Sequence, residues 1–119
     1  MASRKRTDLR TEKQVEHSGD LLMAALGFTV IRFSQARATM QSAGIPDRKY
    51  FNPEKRLALW WECKREGGRV SAFQEAFKRV AEACGETVVV GTDSVLLDWC
   101  VERGLCERVG PAGVRVIRG

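Results

Sequence analysis

Asp47, Glu62 and Lys64 are the residues of this chain whose types and spacing suit chemistry. Two carboxylates on neighbouring strands can hold a divalent ion such as Mg2+ or Mn2+, a hard cation that prefers oxygen ligands and keeps several waters. The backbone carbonyl of Cys63, between Glu62 and Lys64, would be a further ligand. An ion so held lowers the pKa of a water and neutralises charge on a phosphate oxygen. Lys64 would orient or deprotonate the attacking water, or stabilise the charge of the transition state. Hydrolysis of a phosphodiester is the chemistry this implies. By itself the triplet is unspecific, because Asp47-Arg48-Lys49 also fits acid-x-Lys. A solvated strand end with a cross-strand charge pair is the plainer reading of Glu62 and Lys64.

A helix, two strands and a turn must bring these groups together. Thr11 suits the N-cap of a helix running to about Ala25, with Val15, Leu22 and Leu26 spaced for a buried stripe and Gly27 to stop it. Gly19 in its middle costs helix stability, which points to close packing against a neighbour. Phe28 to Phe33 reads as a strand and Ser34 to Ala43 as a long loop. Arg48 to Phe51 follows the Gly44-Ile45-Pro46-Asp47 segment as a short strand. Asn52-Pro53-Glu54-Lys55 is a turn, and Arg56 to Lys64 returns as the second strand of the hairpin. Side chains alternate along a strand, so Leu57, Leu59, Trp61 and Cys63 face one way and Ala58, Trp60, Glu62 and Lys64 the other. Glu62 and Lys64 therefore share a face.

Beyond the Arg65-Glu66-Gly67-Gly68 loop, Ser71 caps a helix to Cys84, with Phe73, Phe77, Val80 and Ala81 as its apolar face and Gly85 after its end. Thr87 to Val90 is another strand. Thr92 or Asp93 caps a helix to about Arg103 with Val95, Leu96, Trp99 and Cys100 inward, and Gly113 to Ile117 closes the chain as an edge strand. The expected architecture is α/β, a mixed central β-sheet flanked by α-helices.

Taken in order, Gly44-Ile45-Pro46-Asp47, Glu62-Cys63-Lys64, and Gly67-Gly68-Arg69-Val70-Ser71 with Gln74 resemble the VRR-NUC family of PD-(D/E)XK nucleases, over roughly residues 11–95. That family has a helix beginning with Glu, a G-x-P-D turn, an E-x-K strand end and an S-x-x-Q helix start. The resemblance implies a restriction-endonuclease-like fold, Asp47 and Glu62 as metal-binding carboxylates, Lys64 as the catalytic lysine, and Gln74 as a glutamine supporting the site. Glu12 falls where the family's first-helix acid lies, and Glu16, one turn further on the same face, could serve instead. Negative charge near a helix N-terminus is favourable in any case. The implied activity is Mg2+- or Mn2+-dependent endonucleolytic cleavage of DNA. Members this compact are phage or bacterial homodimers, some of which cut four-way junctions or other branched DNA. Two departures stand out: Cys63 occupies a usually aliphatic position, and Arg48 and Lys49 replace expected apolar residues. The second would make either a basic rim beside the scissile phosphate or a strand that leaves the core early.

The totals set the frame. A chain of 119 residues, 44% hydrophobic and 29% charged, suits one domain at 11–119 preceded by a loose basic tail at 1–10. Its core would be modest, and dimerisation would add to it. The net charge of +5 suits a polyanion partner. Arg37, Arg48, Lys49, Lys55, Arg65 and Arg69 gather in the segments around the proposed site; with Ser71 they would position a phosphate backbone, where otherwise they are a solvated charged face. Cysteines at 63, 84, 100 and 106, with one histidine, make neither a zinc motif nor a disulfide framework, so buried free thiols are expected. His17 reads as a surface residue, and Trp60 and Trp61 as packing rather than base-stacking groups. With no secretory signal and no apolar run of ~18 residues, the expected location is cytoplasmic, in a bacterial or phage-infected cell. Two rivals share these features: a nucleic-acid-binding module of the same fold without activity, and a scaffold whose charge pattern is coincidental.

Overall fold

The first helix meets the sheet at a glycine. In a computed structural model that describes residues 7–33 and 44–118, helix α1 (Glu12–Ala25) lies across the sheet with Val15, Gly19 and Met23 buried. A Cβ placed on Gly19 would come within 2.4 Å of two carbons of the Trp61 indole ring. Only glycine permits that approach, which is why a residue costly to a helix sits mid-helix. Thr11 caps the helix as expected: its hydroxyl accepts from the Gln14 N–H (3.2 Å), and the Gln14 side chain accepts from the Thr11 N–H (2.8 Å).

The sheet has four strands in the order β1 (Thr29–Arg32), β2 (Arg48–Asn52), β3 (Leu57–Cys63) and β4 (Val88–Gly91). The first three run antiparallel, and β4 joins β3 in parallel, so the sheet is mixed. Parity along β3 follows the expected alternation. Leu59, Trp61 and Cys63 are buried on the side covered by α1 and by α3 (Asp93–Glu102), where the Cys100 thiol lies 3.6 Å from the Met23 sulfur. Trp60 faces the other side, edge-on to Phe77 of α2 (Ala72–Ala83) at 5.1 Å. Among the described residues the result is a three-helix α/β fold around a four-stranded mixed sheet, and none of these helices is long and apolar enough to cross a membrane.

Four expectations need correction. On α2, Phe77 and Ala81 meet the sheet side of the molecule, whereas Phe73 is 66% and Val80 64% exposed. At about 100° per residue the four span an arc wider than one face contact covers, and Phe73 and Val80 lie on its uncovered flank. Val95 on α3 is exposed for the same reason, beside buried Leu96, Trp99 and Cys100. At the C-terminal end, Gly113–Val116 (β6) does not edge the main sheet. It pairs antiparallel with an unforeseen strand, β5 (Cys106–Val109), in a separate hairpin anchored by Leu105 and Cys106 in the core. Finally, residues 7–10 are not loose. Glu66 accepts from the Thr7 hydroxyl and the Asp8 N–H, and Arg10 pairs with Asp8 and with Asp93 at the start of α3 (both 2.7 Å). Cys63, Cys100 and Cys106 are buried free thiols as expected, while Cys84 is exposed.

Gly19→Ala is expected to destabilise the fold by about 1–3 kcal/mol through overpacking against Trp61, in spite of the roughly 1 kcal/mol that alanine gains in helix propensity. Urea unfolding measures it; an unchanged or higher midpoint would mean that Trp61 yields without cost.

Candidate functional site

Strand register brings the carboxylates together. Arg48 pairs with Trp61 across β2 and β3, so Asp47, one residue before β2, stands opposite Glu62. The Cys63 N–H donates to Asp47 Oδ2 at 3.1 Å and fixes that side chain at the strand end. Glu12, the first residue of α1, arrives through the Gly19–Trp61 contact two helical turns along, and its backbone carbonyl lies 3.7 Å from the Cys63 sulfur. One oxygen each from Glu12, Asp47 and Glu62 then lies within 4.8 Å of the others. Lys64 places its Nζ 3.6 Å from Glu62 Oε2.

Glu62 is the unusual member. It is 3% exposed, and its Oε1 is buried without a hydrogen-bond partner. A buried carboxylate oxygen left unpaired is costly. Burial, and then the adjacent charge of Asp47, hold the Glu62 carboxyl well above the ordinary carboxylate range, against the opposing pull of Lys64. Three carboxylate oxygens this close together, one of them on the buried Glu62, fit a hard divalent cation, which would take several oxygens at once.

Behind the acids stands a second charged layer. Arg48, expected on a basic rim, is 8% exposed and turned inward. Its guanidinium donates to Glu16 (2.8 Å), to Asp20 (3.0 Å) and to the Asp47 backbone carbonyl (3.1 Å). Tyr50 also donates to Asp20, at 2.6 Å. The two carboxylates satisfy the guanidinium where it is buried, so the polar opening of β2 does not leave the core. Lys49 is likewise engaged, 2.6 Å from Glu86 and over the Trp60 ring at 4.4 Å.

The remaining expectations divide by position. Of the two helix acids expected as alternatives, Glu12 lies in the acid group and Glu16 is paired with Arg48. Gln74 completes the Ser71 capping box: its Oε1 accepts from the Ser71 N–H (2.9 Å), and Ser71 Oγ accepts from the Gln74 N–H (3.1 Å). Gly44, at φ 87°, packs against the Phe73 carbonyl and the Gln74 N–H, so the turn leading to Asp47 rests on the start of α2. The backbone of Cys63, expected to offer its carbonyl, is tied to the site by its N–H. Arg65 and Arg69 are exposed in the loop after Lys64. Lys55 lies on the β2–β3 turn, at the opposite end of the hairpin from the acids. Arg37 lies outside the described residues. His17 is exposed, and Trp61 is buried beneath α1. Sequence reasoning did not foresee Asp20 as a partner of Arg48.

No protein-family model matches the chain, and neither a curated protein nor a solved structure is found to be similar to it.

The raised Glu62 carboxyl ties stability to pH. Unfolded, Glu62 ionises near its model value of 4.5; folded, it holds its proton to higher pH. Its contribution is therefore fully present below that value and is lost as pH rises through the folded one. In divalent-free buffer the melting temperature is expected to fall as pH is raised from mildly acidic to mildly alkaline, and Glu62→Gln is expected to flatten the slope. A wild-type slope of opposite sign, or one that Glu62→Gln leaves unchanged, would refute this account of Glu62.

Proposed function

We propose that this chain is a metal-dependent DNA endonuclease of restriction-endonuclease-like fold, similar in its motifs to the VRR-NUC group. The observation that carries the reading is the convergence of one oxygen each from Glu12, Asp47 and Glu62 within 4.8 Å of one another, on a buried Glu62 carboxylate whose Oε1 has no hydrogen-bond partner and whose Oε2 lies 3.6 Å from Lys64 Nζ. Glu12, Asp47 and Glu62 would hold Mg2+ or Mn2+, with the Cys63 carbonyl as a further donor. When bound, such an ion supplies Lewis-acid stabilisation of a phosphate oxygen and makes a water more acidic.

The protein's own groups do the rest. Asp47 is oriented by the Cys63 N–H and so costs little to arrange when substrate arrives. Lys64, largely buried against Glu62, is placed to orient the attacking water and to stabilise the negative charge that develops on the phosphoryl oxygens. Arg65 and Arg69, exposed just beyond it, would grip the phosphate backbone. Arg48 and Lys49 have no part in that grip, because their side chains are already paired. The natural setting of this reading is a homodimer in the cytoplasm of a bacterial or phage-infected cell, acting on branched DNA such as a four-way junction.

The test is cleavage of labelled duplex, flap and four-way-junction DNA with Mg2+ or Mn2+. Asp47→Ala and Lys64→Ala are each expected to lower the rate by about a hundredfold or more with the fold retained by circular dichroism. Wild-type protein that binds DNA yet cuts none of these substrates with either metal would replace the nuclease with a binding module of the same fold.

A further inference from the structure

Glu12, Glu16 and Asp20 follow one another at four-residue spacing along α1, so three acids share one helix face. Only the first belongs to the group around Glu62. Glu16 is near enough to feel the rest: burial raises its carboxyl, Arg48 pulls it down, and the charges of Asp47 and Glu12 push it up again. What separates Glu16 from the acid group is Arg48. Its Nη2 holds Glu16 Oε2 at 2.8 Å, its Nε holds Asp20 at 3.0 Å, and its Nη1 holds the backbone carbonyl of Asp47 at 3.1 Å.

We infer that Arg48 is a positioning residue that withholds Glu16 from the ion site, so that three carboxylates rather than four face the cation. This rests on the acid group being a divalent-metal site. The count matters for the chemistry proposed there. A fourth carboxylate would bind the ion more tightly by charge, but it would take a coordination position needed by water or phosphate and reduce the positive field acting on the substrate. An arginine suits the task better than a lysine, because its planar fork can hold two carboxylates and a carbonyl at once. Asp20 has a supporting part: it takes the Arg48 Nε and is itself braced by the Tyr50 hydroxyl at 2.6 Å, so the guanidinium is held in orientation.

Mn2+ binding, measured by calorimetry and by the loss of the free-ion electron paramagnetic resonance signal, tests this apart from activity. Wild type is expected to bind Mn2+. Arg48→Met is expected to bind it about tenfold more tightly, because a positive charge is removed and Glu16 is released toward the ion. Arg48→Met/Glu16→Gln is expected to return to the wild-type affinity. A merely structural role for Arg48 predicts the opposite sign, weaker binding with no recovery in the double variant, and that result overturns the inference. Glu16→Gln alone, at a partly exposed position that should not compromise folding, is expected to keep the wild-type affinity within about twofold. If it weakens Mn2+ as much as Asp47→Asn does, Glu16 is a ligand and the inference is wrong, even should Arg48→Met fail to fold. Absence of Mn2+ binding by wild type would instead remove the metal site itself, and the proposed function with it.

Discussion

The placement of the site depends on how closely α1 approaches β3. Gly19 lets the helix backbone rest on the Trp61 ring, and Trp61 is one residue from Glu62. Two turns back along the same helix is Glu12. The contact that closes the core therefore also sets how far the helix acid stands from the strand acid. Trp61 is held from the other side too, since its Nε1–H donates to the Gly91 carbonyl of β4 at 3.1 Å. Close-packed interiors transmit small displacements rather than absorb them, so a shift of this ring would be felt at the carboxylates. The N-terminal residues add a second constraint: Glu66, two residues beyond Lys64, accepts from Thr7 and Asp8, and Arg10 ties the same segment to α3.

Much of this was legible in the sequence, for identifiable reasons. The hairpin carrying the acids could be read because Pro53 marks its turn and strict alternation from Leu57 to Lys64 assigns each side chain to a face. Both N-caps could be read because Thr11 and Ser71 each stand just before a helical run, while the reciprocal bonds of Gln14 and Gln74 were not anticipated. What was missed required knowledge of partners. Arg48 looked like a surface charge because arginine usually is one, yet its surroundings held a clue. Three acids at four-residue spacing on one helix face repel unless a cation meets them, and Arg48 and Arg32 are where the antiparallel strands place such cations.

The C-terminal hairpin was misread for a different reason. Gly110 and Pro111 between Glu107-Arg108-Val109 and Gly113-Val114-Arg115-Val116 make a turn signal, but both flanks are short and charged and carry little hydrophobic periodicity. Their stability comes from pairing with each other and from Leu105, Cys106 and Val116 reaching the core, a tertiary effect that no local window contains. The exposed Phe73 and Val80 show the same limit in reverse. Periodicity identified the apolar arc of α2, but the extent of sheet available to cover it decided which part was buried.

The charges around Glu62 do not balance locally, although the whole chain carries +5. Glu12, Asp47 and Glu62 face one another with Lys64 as the cation beside them, while Arg48, the other nearby cation, is turned toward Glu16 and Asp20. Glu62 is neither exposed nor given a donor at Oε1 among the described residues. Protonating Glu62 relieves the repulsion but leaves the cluster dependent on pH; a divalent cation would relieve it without a bound proton. On the proposed reading, keeping like charges together at this strand end exchanges stability for function. The same reading accounts for Glu16, Asp20 and Arg48 standing on α1 and β2 rather than on loops: carboxylates that were to share one ion would need fixed separations, and a helix packed on a sheet supplies them.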